Sequence, residues 1–187
     1  MTTSLATEAT PIAGSFVVRR DRIGDDRGWF ERTFCSSDLQ ELLSGRAVVQ
    51  SNRSFTAMAG TVRGIHLQLP PHAECKLVTC VSGAVYDVVV DLRAGSPTFL
   101  QWFGVELSPE GRNALWIPEG CGHAFQALKS DSELWYMHTA AYAPDSEFGI
   151  DALDPRIAVS WPTAVTMRSP RDEQLPKVAA SFDGVSI

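Results

Sequence analysis

Lys76-Leu77-Val78-Thr79-Cys80-Val81-Ser82-Gly83-Ala84-Val85-Tyr86-Asp87-Val88-Val89-Val90-Asp91-Leu92 decides the fold. Two runs rich in β-branched residues, Lys76–Val81 and Ala84–Leu92, flank a Ser82-Gly83 pair. Branched side chains are stiff at χ1 and suit a pleated surface better than a helix. The spacing predicts two strands joined by a two-residue hairpin turn. The rhythm recurs towards the C-terminus as Gln101–Leu107, Asn113–Ile117, His123–Leu128 and Glu133–Thr139, with turn signals at Ser108–Arg112 and Pro118-Glu119-Gly120. Short strands at intervals of roughly 8–12 residues specify a sandwich or barrel, with a jelly roll as the leading all-β architecture. In the N-terminal direction, Ser36–Leu43 reads as one short helix, capped by Ser37, with Gln40 at the capping-box position and Gly45 at its end. Asp154-Pro155, Trp161-Pro162 and Ser169-Pro170 mark a loop-rich C-terminal part with one further short helix.

The chain has 187 residues, 44% of them hydrophobic, which is enough apolar surface to offset chain entropy in one domain. Sixteen basic against 22 acidic side chains give a net charge of −6, which excludes a dedicated nucleic-acid binder. Thirteen of the sixteen are Arg and three are Lys. No run approaches a membrane-spanning length, and Met1–Thr10 lacks the basic start and apolar run of a secretory leader. Cys35, Cys75, Cys80 and Cys121 show no CxxC spacing and are expected as reduced thiols in a cytoplasmic protein. Residues 1–14 are expected as a disordered tail, 15–175 as the folded domain and 176–187 as a C-terminal tail.

Four histidines, His66, His72, His123 and His138, invite a metal reading inside a small barrel. A metal-binding cupin presents His-x-His, then Glu, then a later His. Here Gln68 stands where the second His would be, and a neutral amide is a poor ligand beside imidazole. With Glu74 and His123 the ligand positions are present but the set is broken. Strand alternation puts Gly64, His66 and Gln68 on one face. Arg63, His66, Gln68 and Lys76 crowd four polar groups into 14 residues, which a purely structural core strand does not favour.

The chain resembles the dTDP-4-dehydrorhamnose 3,5-epimerases, a metal-independent branch of the cupin superfamily. The resemblance covers roughly residues 15–175. It is carried by Asp26-Arg27-Gly28-Trp29-Phe30-Glu31, Gln50-Ser51-Asn52, Val62-Arg63-Gly64-Ile65-His66-Leu67-Gln68, Lys76-Leu77-Val78, Val85–Arg93, Ser96-Pro97-Thr98-Phe99, Trp116-Ile117-Pro118-Glu119-Gly120 and His123-Ala124-Phe125. Tyr136, Tyr142, Glu147, Gly149, Asp154-Pro155 and Trp161-Pro162 continue it. It implies a cupin-type double-stranded β-helix, or jelly roll, with a few short helices and an N-terminal strand exchanged across a homodimer. It also implies a cofactor-free isomerase that inverts C3 and C5 beside the 4-keto group of a dTDP-linked 6-deoxy sugar.

Such a C–H is acidified by delocalisation of its carbanion into an enolate, so the chemistry needs a base, an enolate stabiliser and an acid. By resemblance His66 is the base, Asp172 of Ser169-Pro170-Arg171-Asp172 its partner, Lys76 the enolate cation and Tyr136 the acid. His123 is implied as a binding group, with Gln126 read as sharing its face. Arg27 and Arg63 are implied to grip the diphosphate in a planar fork. Glu31, Gln50, Asn52 and Glu147 are assigned to base or sugar hydroxyls, and Tyr142 and Arg171 join the substrate-binding set. Arg53 and Arg112 match no position and are expected as surface charges. Ile23 departs from the family's usual aromatic, which bears on the nucleobase contact. The other readings are an epimerase acting at C3 alone, a non-catalytic nucleotide-sugar-binding cupin, and a metal-dependent cupin.

Overall fold

The computed structural model describes residues 4–187. The chain opens with β1 (Leu5–Ala9), β2 (Phe16–Arg20), a hairpin of β3 (Arg22–Asp25) and β4 (Gly28–Glu31), and a one-turn helix α1 (Gln40–Leu43). Then come β5 (Gln50–Thr56), β6 (Val62–Gln68), β7 (Lys76–Ser82), β8 (Val85–Asp91), β9 (Trp102–Leu107), β10 (Asn113–Ile117), β11 (Cys121–Ala127) and β12 (Ser132–His138). A three-residue strand β13 (Glu147–Gly149) and the short helix α2 (Pro170–Glu173) complete it. The strands form a six-stranded sheet, β1-β2-β10-β7-β12-β5, and a five-stranded sheet, β13-β6-β11-β8-β9, facing it as a jelly roll.

The strands on either side of Ser82-Gly83 fall where the sequence puts them, but they do not form a hairpin. β7 pairs with β10 and β12, whereas β8 pairs with β11 and β9 in the opposite sheet. The reason lies in side chains that are apolar on both faces. Val78 and Cys80 of β7 and Val85 and Val89 of β8 fill the space between the sheets. Leu77 packs outward under Leu5, Leu39 and Leu43, and Val88 and Val90 pack outward under Ile157 and Val178. Central strands of this kind need two neighbours each and a covering layer on both sides. Gly83, at φ +75°, turns the chain across the gap, and the Ser132 hydroxyl accepts the Ala84 N–H at 3.2 Å.

Three further expectations are corrected. The helix is limited to Gln40–Leu43, without a side-chain cap, and Ser44 in the left-handed region ends it. Ser37 instead contacts Cys35 Sγ at 3.0 Å. Within the expected N-terminal tail, Leu5–Ala9 form β1, paired with β2 of the same chain, while Met1–Thr3 lie outside the described residues. The expected C-terminal tail is likewise docked: Val178 and Val185 are buried, and Phe182 stacks on Phe148. All four cysteines are free, and among the described residues no helix is long and apolar enough to cross a membrane.

Asp91 ties off the end of β8. Its buried carboxylate accepts from the Arg93 backbone N–H (3.0 Å), Arg93 Nε (2.9 Å) and Nη2 (2.7 Å), Ser96 Oγ (2.5 Å) and Thr98 Oγ1 (2.6 Å). Burial would push this carboxyl up, but the bonds from Arg93, Ser96 and Thr98 outweigh it and bring it to about 2. Asp91→Asn should therefore cost about 2 kcal/mol at neutral pH, because it leaves a half-buried guanidinium without its counter-charge. A pKa held below the ordinary 3.8 contributes stability that is complete above that value and is lost as the pH falls towards 2. Chemical denaturation should show the gap between wild type and variant closing over that window; a gap that persists at the acid end contradicts the assignment.

Candidate active site

A cavity of about 390 Å³ opens between the two sheets. The six-stranded sheet contributes Asn52, Arg53 and Ser54 from β5, Lys76 from β7, and Tyr136 and His138 from β12. The five-stranded sheet contributes Arg63 and His66 from β6 and His123 and Phe125 from β11. Ser169, Arg171 and Asp172 reach it from the segment of α2. The inner face of each central strand thus changes from apolar to polar along its length, as in Leu134-x-Tyr136-x-His138.

Simple alternation does not hold along β6. His66 pairs with His123 and Gly64 with Ala124, so Ile65 is an extra residue and the register shifts there. A bulge of this kind re-aims the side chains on either side of it. Arg63 and His66, three apart, both reach the cavity, while Ile65 packs outward. Gly64 has φ +110°, and a Cβ on it would lie 2.5 Å from the His123 carbonyl oxygen, so no other residue fits.

His66 Nε2 lies 2.7 Å from Asp172 Oδ1, and the second oxygen of Asp172 accepts the Gly64 N–H at 3.3 Å. Burial pushes the Asp172 carboxyl up, but the His66 hydrogen bond and charge, the Gly64 N–H and Ser169 overcome this and hold it below the usual range. An ionised carboxylate only accepts, so the Nε2 that faces it bears a hydrogen and Nδ1 is the nitrogen left for the cavity. The Asp172 side chain is 4% exposed and that of His66 36%, so the pair is anchored at one end and open at the other. Ser169 caps α2 by accepting the Asp172 N–H at 3.0 Å. Arg168 Nη2 donates to the Asp172 carbonyl and to Asp151 Oδ1, both at 2.6 Å.

Lys76 is buried, with Nζ 3.3 Å from the His66 carbonyl oxygen and 3.2 Å from Glu74 Oε1. Tyr136 meets Ser54 Oγ at 3.1 Å, and burial pushes its phenol well up, so it stays protonated. His123 Nε2 lies 2.7 Å from Asp87 Oδ1 and its ring meets Tyr136 edge-on at 5.8 Å. Asp87 is fully buried, and although His123 lowers it, desolvation leaves its carboxyl raised. A smaller recess of about 150 Å³ adjoins the cavity, lined by Gln50, Tyr142 and Glu147 beside His66 and Lys76. Glu147 of this recess pairs at 2.7 Å with Arg171 of the larger cavity.

Two of the assigned binding residues lie elsewhere in the chain. Arg27 sits on the turn of the β3–β4 hairpin, its side chain 90% exposed and paired with Asp25. Glu31 is not free to bind a ligand: its carboxylate is buried between Arg20 and Arg22, each at 3.1 Å. Gln126 points away from His123 and holds the Thr163 backbone through both ends of its amide. Gln68 is consumed likewise, donating to the carbonyls of His72 and Ala141 and accepting from Ala143. Among the described residues, no group of three or more His, Cys, Asp or Glu is placed to hold a metal ion.

Sequence reasoning missed Arg53, which lines the cavity while paired with Glu133, and also His138, Ser54 and Asp87. Asp87 did carry a signal, as a charge inside a valine run that must find a buried partner.

The family model described as dTDP-4-dehydrorhamnose 3,5-epimerase matches residues 9–180. A dTDP-4-dehydrorhamnose 3,5-epimerase of Sinorhizobium fredii is 39% identical over 96% of this chain and 94% of its own. A dTDP-4-dehydrorhamnose 3-epimerase of Streptomyces niveus is 39% identical over 92% of this chain and 83% of its own. The crystal structure of a Legionella pneumophila 3,5-epimerase in complex with dTDP-4-keto-L-rhamnose superposes with a TM-score of 0.84 at 37% identity, covering 94% of this chain and all of that one.

The cap on α2 yields a local prediction. Ser169→Ala should cost about 1 kcal/mol at the helix start, which is roughly a fivefold faster amide exchange at Asp172. Exchange at that amide identical to wild type would remove Ser169 from this role.

Proposed function

The chain belongs to the dTDP-4-dehydrorhamnose 3,5-epimerase family and is a nucleotide-sugar epimerase; from that premise we propose that it inverts C3 and C5 of a dTDP-linked 4-keto-6-deoxyhexose by cofactor-free proton transfer. The observation that carries the reading is the pairing of His66, on one sheet, with buried Asp172 of α2, opposite the protonated phenol of Tyr136 on the other sheet. A base and an acid on opposing walls can work on opposite faces of one sugar ring, which is what inversion requires.

In the proposed cycle His66 Nδ1 removes the proton next to the ketone, and the electron pair delocalises onto the 4-keto oxygen. Asp172 stabilises the imidazolium that forms, and the Lys76 ammonium stabilises the enolate. Tyr136 then delivers its proton to the carbon from the other side. Its raised pKa does not prevent this, because the α-carbon of the product ketone is a weaker acid still. Imidazolium and phenolate return to their starting forms by exchange with solvent. No redox step occurs, so the residues present supply everything the reaction consumes.

The diphosphate falls to Arg63 and Arg171, with His123, Gln50, Asn52, Tyr142 and Glu147 around the sugar and nucleoside. Arg27 is assigned to a different cavity. Its hairpin carries Trp29 and Phe30, 60% and 68% exposed, and it suits a homodimer in which each hairpin completes the partner's site. A cytoplasmic location follows from the nucleotide-activated substrate. Inversion at C3 alone is the second reading, because a 3-epimerase stands at the same 39% identity as a 3,5-epimerase.

Incubation with the dTDP-4-keto-6-deoxy sugar in D2O should label C3 and C5, read by NMR; label at C3 only selects the second reading, and label at neither carbon sinks both. His66→Ala should abolish exchange, and Asp172→Asn should lower it by about 10²–10⁴-fold. Tyr136→Phe should keep exchange while losing inverted product. Equal loss of the two in that variant contradicts the role of the phenol.

A further inference from the structure

Glu74 and His138 are buried beside the cavity and take no part in the proton transfers. Glu74 Oε1 faces Lys76 Nζ at 3.2 Å and Oε2 faces His138 Nδ1 at 2.8 Å. From there a line of hydrogen bonds continues outward. His138 Nε2 is 3.3 Å from Asn52 Nδ2, Asn52 Oδ1 accepts from Gln50 Nε2 at 3.3 Å, and Gln50 Oε1 accepts the Tyr142 backbone N–H at 2.8 Å. Four side chains thus connect the start of β7 with β12, β5 and the loop beyond β12.

This line has one consistent direction. At the inner end a carboxylate only accepts, so His138 donates from Nδ1, and a ring with a single N–H then accepts at Nε2. Burial would push the Glu74 carboxyl up, but the His138 hydrogen bond and the Lys76 charge bring it below its usual range, so this end remains an acceptor. At the outer end a backbone N–H only donates, so Gln50 must turn its oxygen to Tyr142 and its NH2 to Asn52. Asn52 then offers oxygen to Gln50 and NH2 to His138. The two ends fix the direction separately and agree where they meet.

We propose that His138, held by Glu74, is a positioning residue that sets the amide orientations of Asn52 and Gln50, and so decides which donors and acceptors the cavity mouth presents to the nucleotide sugar. The two orientations of an amide are nearly equal in shape and opposite in hydrogen bonding, so a site with unset amides would bind as a mixture. This inference rests on reading the cavity as a nucleotide-sugar site.

The test has two arms on the full-length protein. Long-range proton–nitrogen NMR at neutral pH should find His138 as the Nδ1–H tautomer. In Glu74→Gln, Lys76 retains the side-chain oxygen and the amide NH2 faces the ring, so the tautomer should change to Nε2–H. In the second arm, His138→Leu should weaken dTDP binding in calorimetry and raise KM, each roughly five- to tenfold, with kcat within about twofold. His138→Gln, which can still accept from Asn52, should recover most of that loss and also serves if the leucine variant fails to fold. A wild-type ring found as Nε2–H or doubly protonated overturns the proposal. So does dTDP affinity that is unchanged in His138→Leu, or equally weakened in His138→Gln. Wild type that binds no dTDP at all indicts the reading of the cavity, whereas wild type that binds with an indifferent His138→Leu indicts only this inference.

Discussion

The backbone of β6 passes β11 at position 64 with no room for a side chain: a Cβ there would meet the His123 carbonyl oxygen at 2.5 Å and Ala124 Cα at 2.7 Å. The site depends on that close approach. It admits the bulge at Ile65, which turns Arg63 and His66 towards the same cavity. It also aims the Gly64 N–H at Asp172 instead of at a neighbouring strand, so the backbone helps to hold the carboxylate that holds His66. A methyl group at this position would disturb the barrel wall, the ring and its anchor together.

A second regularity lies behind the cavity wall. The lysine and the histidines at the cavity are each backed by a buried carboxylate: His66 by Asp172, His123 by Asp87, and Lys76 and His138 by Glu74. Burying such pairs costs desolvation, and apolar residues would pack as stably. Where the carboxyl is held below its usual range, at Asp172 and Glu74, the return is geometric, since an acceptor-only carboxylate fixes which ring nitrogen bears hydrogen and which way the ring faces. The inner end of the barrel, filled by Val78, Val89, Leu107, Leu115 and Phe125, provides the rigid base on which these pairs stand.

The strands were legible because valine-rich runs between glycine and proline leave little alternative. Their division between sheets was not. Period-two alternation tells which face a side chain takes but not which strand lies alongside, and β7 and β8 satisfy the same pattern in separate sheets. Catalytic candidates came through resemblance, and the cavity gathers His66, Lys76, Tyr136 and Asp172. Arg63 joins them through a bulge that no periodicity announces. Glu31 was misread because its partners, Arg20 and Arg22, are neighbours only once β2, β3 and β4 have folded. Ion pairs of this kind account for part of the excess of arginine. Arg20, Arg22, Arg93 and Arg168 are engaged in ion pairs that tie the scaffold together, and only part of the positive charge faces the cavity.

The segment that carries Asp172 first covers the outer face of the five-stranded sheet, through Ile157, Trp161 and Val165, and only then turns in beneath His66. The two members of the dyad are 106 residues apart. In chain order, every strand that lines the cavity therefore precedes the carboxylate that orients the base. Reactivity and completion of the fold are linked by this order: a chain in which the last segment has not docked holds an imidazole without its anchor.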